Sequence, residues 1–250
     1  MAGLNEPIFH QHRYARELDQ LVEQGCAWLD IGAGDVIHRS WLPPTCDALA
    51  ARPSYFAGCD LDEAVLGNKY LHDKRIASAS SLPWPDDTFD LVSANMVVEH
   101  LAEPHLVMKE VRRVLKADGR FVFVTPNKNH PVIRAAAYFL PEKLRRMYAI
   151  RVEGRAAEDA FPTTYLCNTG ESIQAVAKVA GFEIQTLEIF DSEFPILPGA
   201  IGRAERGFMQ LLMRTNWGRR LGADILVVLR KSTAVLPTES QDGGRRGVKL

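Results

Sequence analysis

Short runs of consecutive apolar residues, each closed by glycine, proline or an acid, alternate along the chain with segments whose apolar residues recur every three or four positions. Ala27-Trp28-Leu29-Asp30-Ile31 runs into Gly32-Ala33-Gly34, and Tyr55-Phe56-Ala57-Gly58-Cys59 ends at Asp60. Phe89-Asp90-Leu91-Val92-Ser93-Ala94 follows the turn chemistry of Leu82-Pro83-Trp84-Pro85-Asp86-Asp87, and Phe121-Val122-Phe123-Val124-Thr125 is closed by Pro126. Phe182 to Phe190 and Ala223 to Arg230 complete the set. Continuous apolar runs bounded by turn residues predict strands buried on both faces. Helices are predicted at Arg13 to Gln24, where Leu18, Leu21 and Val22 share a face before Gly25, and at Asp62 to Leu71, with Asp62 as cap. Two more follow, at Glu103 to Lys116 and at Glu171 to Ala180, the latter stopped by Gly181. Such alternation predicts a mostly parallel sheet covered on both sides.

Two stretches break the alternation. Residues 127–170 hold a basic, apolar helical segment from Val132 to Ile150 interrupted at Pro141. Residues 191–222 hold a second, with Phe208, Met209, Leu211, Leu212 and Met213 bordered by Arg203, Arg206, Arg214, Arg219 and Arg220. Both are expected as helical lid insertions on a single domain spanning 1–231, since long functional inserts gather on one edge of such sheets. The stretch 232–250 is poor in apolar residues and is expected to be a disordered tail.

Charge and composition narrow the function. The 250 residues are 46% apolar and 24% charged, with 30 Lys+Arg against 31 Asp+Glu. That balance argues against a general nucleic-acid binder, which carries a basic excess. No run of about 18 apolar residues exists to span a membrane. Met1 to Phe9 lacks the basic start and apolar stretch of a secretory signal, and Cys26, Cys46, Cys59 and Cys167 lie far apart, as reduced thiols do. A cytoplasmic protein without a metal cluster is the expectation.

The strand ending in Asp-Ile-Gly-Ala-Gly is a nucleotide-type signal, because glycines let a ligand approach the backbone and a following helix would offer free N–H groups. A bare glycine turn would read the same. Asp60, 26 residues beyond Gly34, adds weight, since an acid near that spacing accepts bonds from ribose hydroxyls. A pyrophosphate would need a further glycine, yet Asp35-Val36-Ile37-His38 follows. An adenosine ligand without phosphates suits the loop better than NAD.

With these residues in view, the chain resembles the class I S-adenosylmethionine (SAM)-dependent methyltransferases, in the branch of ubiquinone-biosynthesis-like small-molecule enzymes. The matching stretches are WLDIGAGDV (28–36), FAGCDLDE (56–63), SLPWPDDTFDLVSANMVVEHL (81–101), EVRRVLKADGRFVFVTPN (110–127) and AGFE (180–183). The resemblance implies an α/β fold, a Rossmann-like, mostly parallel seven-stranded sheet. It also implies roles for individual residues. Gly32, Ala33 and Gly34 would pass beneath the methionine part of SAM, with Asp30 bracing them. Asp60 would bind the ribose hydroxyls and Leu61 would pack on the adenine. Ser78 and Ala79 would lie at the adenine edge, and Asn95 where the fourth strand meets the methyl donor. Val36 and Ser78 depart from the family, at a third glycine and an acid respectively.

Methyl transfer from a sulfonium is an in-line displacement in which the protein mainly aligns donor and nucleophile. A base is needed only for a weakly acidic O–H or N–H, and His100, just past the fourth strand, is the candidate, with a structural role as the competing reading. Glu99 could hold the loop or a substrate hydroxyl, and Tyr14, His130, Tyr165 and Asn168 are candidate lid residues. Residues 131–155 carry six basic groups (Arg134, Lys143, Arg145, Arg146, Arg151, Arg155) against Glu142 and Glu153. They suit an anionic or amphiphilic small-molecule acceptor, or peripheral contact with a membrane; a solvated basic face reads the same way. The expectation is O-methylation of a small-molecule or sugar- or lipid-linked acceptor. The alternatives are a non-catalytic SAM-binding scaffold and an NAD-dependent oxidoreductase.

Overall fold

The computed structural model describes residues 9–38, 42–139, 163–191 and 199–232. The predicted tail beyond 232, and the basic segment past Phe139, lie outside the described residues. Seven strands form one sheet: β1 (Ala27–Ile31), β2 (Tyr55–Asp60), β3 (Asp73–Ile76), β4 (Phe89–Asn95), β5 (Leu115–Pro126), β6 (Phe182–Phe190) and β7 (Asp224–Lys231). Their order is β3-β2-β1-β4-β5-β7-β6. The first five pair in parallel, and β7 runs antiparallel between β5 and β6. The helices are α1 (Phe9–Leu21), α2 (Cys46–Ala50), α3 (Pro104–Val114), α4 (Pro131–Phe139), α5 (Gly170–Val179) and α6 (Gly199–Leu212).

Successive strand residues point to opposite faces, so a doubly covered sheet divides its core in two. Leu29, Ile31, Phe121 and Phe123 pack with Val107, Met108 and Val111 of α3 on one face. Trp28, Phe56, Val122 and Val124 pack with Tyr14 and Leu18 of α1 on the other, where Trp28 and Phe56 stack at 4.0 Å.

Several elements differ from expectation, two predicted helices among them. The helix predicted at Asp62–Leu71 is only a 3-10 turn, Glu63–Gly67, capped as expected by the Asp62 side chain. Asn68 ends it in an extended conformation. The helix predicted to Lys116 stops at Val114, and the chain passes directly into β5 with Asp118 at a φ of 61°.

Arg113 closes the Leu82–Asp86 turn under β4. Its guanidinium donates to Glu110, to the carbonyls of Leu82 and Trp84, and to Asp86, at 2.8–2.9 Å. A lysine cannot reproduce a planar fork of this kind. Arg113→Lys is therefore expected to cost about 2 kcal/mol, lowering Tm by about 5 °C in a thermal melt. An unchanged melt would remove this role.

Candidate functional site

The parallel strands β1, β2 and β4 end together at one edge, and the candidate residues lie there. Gly32 leaves β1 at a φ of 71°, the left-handed region that glycine adopts without steric cost. Its N–H and that of Ala33 donate to the Cys59 carbonyl at 2.8 and 3.1 Å, tying the loop to β2. Asn68, fully buried, donates its amide to the carbonyls of Ala33 and Gly34 at 3.3 Å. Sequence reasoning overlooked Asn68, since an asparagine ending a short turn carries no signal of its target.

Asp60 faces this loop. Its Oδ2 accepts the Gly34 N–H at 3.1 Å and its Oδ1 the Asp62 N–H at 3.0 Å. A carboxylate offers about four lone-pair sites, so two remain for ligand hydroxyls. Leu61, beside it, is 60% exposed, an apolar side chain left largely uncovered. A Cβ on Gly34 would meet nothing within 4 Å, so open space lies over the loop. Asn95 Oδ1 at the end of β4 is shielded from water and has no hydrogen-bond partner among the described residues. Ser78 is spent within its own turn, its Oγ 2.8 Å from Ser80 Oγ, and Ala79 packs against the core. Glycine loop, ribose-type acid, bare apolar residue and orphaned amide oxygen together fit SAM.

The loop departs from the expectation in one respect. Residues 32–38 are turns, and no helix begins directly after Gly34. The N-terminus that would carry a pyrophosphate is missing from those residues, which favours an adenosyl ligand over a dinucleotide. Val36, at the departed glycine position, is 47% exposed and does not fill the crevice floor.

Beneath the loop lies a buried polar chain. Trp28 Nε1 donates to Ser93 Oγ at 2.7 Å, and Ser93 Oγ donates to Asp30 Oδ1 at 2.5 Å. Burial drives the Asp30 carboxyl up to about 7, with the Asp60 charge adding to the rise and the Ser93 bond and His38 opposing it. Burial likewise raises the Tyr14 hydroxyl well above its ordinary value, and the Asp30 charge adds to it. Tyr14, expected at a lid, thus lies in the core behind the loop.

A carboxyl raised on folding favours the folded state at low pH, and that contribution fades as pH climbs from the unfolded value near 4 to the folded value near 7. Asp30→Asn removes the titration while keeping an acceptor for Ser93. The variant should gain about 2 kcal/mol on wild type between about pH 5 and pH 8. Parallel pH profiles of Tm for the two proteins would refute this.

On the acceptor side, Glu99 is buried, and its Oε2 accepts the Thr125 hydroxyl at 2.9 Å. Thr125 Oγ1 in turn accepts Asn168 Nδ2 at 2.6 Å. The Glu99 carbonyl accepts the N–H groups of Thr164 and Tyr165 at 2.8 and 3.2 Å. His100 sits in the turn Val98–His100 with Nε2 3.9 Å from Glu99 Oε1, close enough to feel its charge but too far for a hydrogen bond. His130 lies 3.8 Å from Asp191, again beyond bonding range, so burial prevails and lowers its pKa to about 4. Among the described residues no three His, Cys, Asp or Glu side chains group to hold a metal, and the four cysteines are buried free thiols. No described helix is long and apolar enough to cross a membrane.

Sheet order and site together define a Rossmann-like methyltransferase fold. Residues 29–123 match the family model described as a methyltransferase domain. The uncharacterized methyltransferase YcgJ of Bacillus subtilis is 45% identical over 47 residues, 19% of each chain. The ubiquinone/menaquinone biosynthesis C-methyltransferase UbiE of Shewanella frigidimarina is 25% identical over 195 residues, covering 59% of this chain and 74% of that one. The solved YcgJ structure superposes with a TM-score of 0.55 at 18% identity, covering 88% of this chain and 99% of that chain. Over these stretches the chain is similar to SAM-dependent methyltransferases, ubiquinone-biosynthesis enzymes among them, and it shares their fold. Its alignments span 19% and 40% of the length of two of its relatives.

Proposed function

We propose that this chain transfers a methyl group from SAM to a small-molecule acceptor, at oxygen. The observation that carries the reading is Asp60, held at 3.1 Å from the Gly34 N–H with acceptor capacity left over a loop whose floor is open. SAM supplies a methyl already activated on sulfur. The chain's part is to hold and align: Gly32, Ala33 and Gly34 under the methionine, Asp60 on the ribose, Leu61, Ser78 and Ala79 around the adenine. Asn95 lies at the methyl end, and Asp30 secures the loop from below through Ser93. Such alignment supplies about 7–11 kcal/mol of barrier reduction.

The choice of oxygen rests on His100 beside Glu99, an ionisable pair at the end of β4 able to accept a hydroxyl proton. General-base help of this kind is worth about 10²–10⁴-fold, so His100→Gln should lower kcat by that amount. UbiE, a C-methyltransferase by name, supports carbon as the competing target and an amphiphilic, quinone-type acceptor as the substrate class.

Calorimetry with SAM and with S-adenosylhomocysteine tests the reading, and binding by neither overturns it. Incubation of cell extract with the protein and deuterated SAM then identifies the labelled compound by mass spectrometry. A label on carbon would overturn the oxygen assignment, and SAM binding without any labelled product would leave a SAM-binding scaffold.

A further inference from the structure

Helix α6 (Gly199–Leu212) is attached to the protein by a narrow stripe. Of its residues only Gly202 and Met209 are buried. At about 100° per residue, Ile201, Phe208 and Leu212 fall on one line well away from that stripe, with Ala204 and Leu211 beside it. Ile201, Phe208 and Leu211 are 69%, 58% and 64% exposed, and Trp217 in the following turn is 65% exposed. An apolar face left this bare is unusual, and bare faces of this size mark interaction sites.

Charge identifies the occupant. Between Gly199 and Gly222 stand five arginines, Arg203, Arg206, Arg214, Arg219 and Arg220, all exposed, against one acid, Glu205. Arg203 and Arg206 fall across α6 from that line, on the polar face of an amphipathic helix, and do not interrupt it. A second copy of the chain would set like charges against each other across a symmetric contact, which is unfavourable. An anionic lipid surface satisfies both features, taking the apolar line into the acyl boundary and the arginines onto headgroups. A tryptophan at the helix end suits the interfacial level of such a surface.

The position gives the contact a use. The chain leaves β6 at Phe190 and re-enters β7 at Asp224, and Asp224 pairs with both Phe190 and Pro126. Pro126 ends β5, which runs parallel to β4, so the insert springs from the same sheet edge as the glycine loop and Asn95. We propose that the α6 face, Ile201, Phe208, Leu211 and Trp217 backed by an arginine-rich polar face, docks this protein peripherally on anionic membrane with the acceptor side of the sheet at the lipid surface.

The test is sedimentation of the full chain with vesicles of phosphatidylcholine alone and of phosphatidylcholine with about one-third phosphatidylglycerol. Binding is expected to the anionic vesicles only, weakening as salt is raised. Arg203→Ser/Arg206→Ser/Arg214→Ser should lower the partition coefficient by about 100-fold. Phe208→Ser/Leu211→Ser should lower it by at least about tenfold. All five positions are exposed, and an unchanged melt for each variant separates lost docking from lost fold. No binding to anionic vesicles, equal binding to neutral ones, or binding that survives both variants overturns the proposal. A concentration-dependent dimer abolished by Phe208→Ser/Leu211→Ser would also overturn it, by giving the face to a second copy. The assay contains neither SAM nor acceptor, so its failure leaves the methyltransferase reading intact, and calorimetric failure leaves the docking intact.

Discussion

Gly32→Ala is expected to lower Tm by about 10 °C and to weaken SAM binding by at least about 100-fold. The added Cβ would stand 2.3 Å from Val97 Cγ2, well inside van der Waals contact, and the backbone there holds a φ of 71° that alanine tolerates poorly. The loop cannot simply move away, because the Gly32 and Ala33 N–H groups both bond the Cys59 carbonyl and Asn68 holds the two carbonyls beyond. Overpacking and backbone strain together amount to about 3 kcal/mol. Gly34→Ala separates the two consequences. Its Cβ meets nothing within 4 Å, so stability should fall by only about 1 kcal/mol, while the methyl group intrudes on the open crevice and affinity should fall as far as in Gly32→Ala. Adding Val97→Ala to Gly32→Ala makes room and should restore part of the lost stability. Melting curves and titration calorimetry on the three variants and the wild type measure all of this. A Gly34→Ala protein that binds SAM normally would show that the ligand does not pass over the loop.

The elements legible in the sequence are those whose burial leaves a local imprint. β1, the second half of β5 and most of β7 are continuous apolar runs because the sheet is covered on both faces, while the edge strand β6 mixes apolar and polar residues yet matches its predicted bounds, Phe182–Phe190. β3 was not anticipated. Asp73-Lys74-Arg75-Ile76 is a half-exposed edge strand, and charged residues that protect an edge look like a loop when read along the chain. The helix read into Asp62–Leu71 failed for a related reason: the cap at Asp62 is real, but Asn68 turns its side chain to the glycine loop and its backbone out of helix. At the site, Gly32, Gly34 and Asp60 could be placed from spacing alone, since their partners lie at the ends of adjacent parallel strands. Asn68, Val97 and the Thr125 link could not be, because each acts through a residue distant in sequence.

Glu99→Ala is expected to be the most damaging change on the acceptor side, costing about 3 kcal/mol of stability and reducing methyl transfer by more than about 100-fold. The Thr125 hydroxyl has one proton. Since its oxygen accepts from Asn168, that proton goes to Glu99, and alanine would leave it without this acceptor inside the core. The same carboxylate lies 3.9 Å from His100 Nε2, and the Glu99 backbone carbonyl receives the N–H groups of Thr164 and Tyr165. The side chain therefore ties the end of β4 to β5 and, through Asn168, to the chain leading into α5. Glu99→Gln divides these roles. Its amide oxygen can still accept from Thr125, so the melt should move by less than about 1 kcal/mol, while the charge beside His100 is gone. If His100 is the base, Glu99→Gln should lower kcat and shift the acidic limb of the pH–rate profile downward, because an imidazolium loses its neighbouring anion. KM for SAM should not change, as Asp60 and the glycine loop are untouched. Equal losses of stability in both variants would assign Glu99 to structure alone.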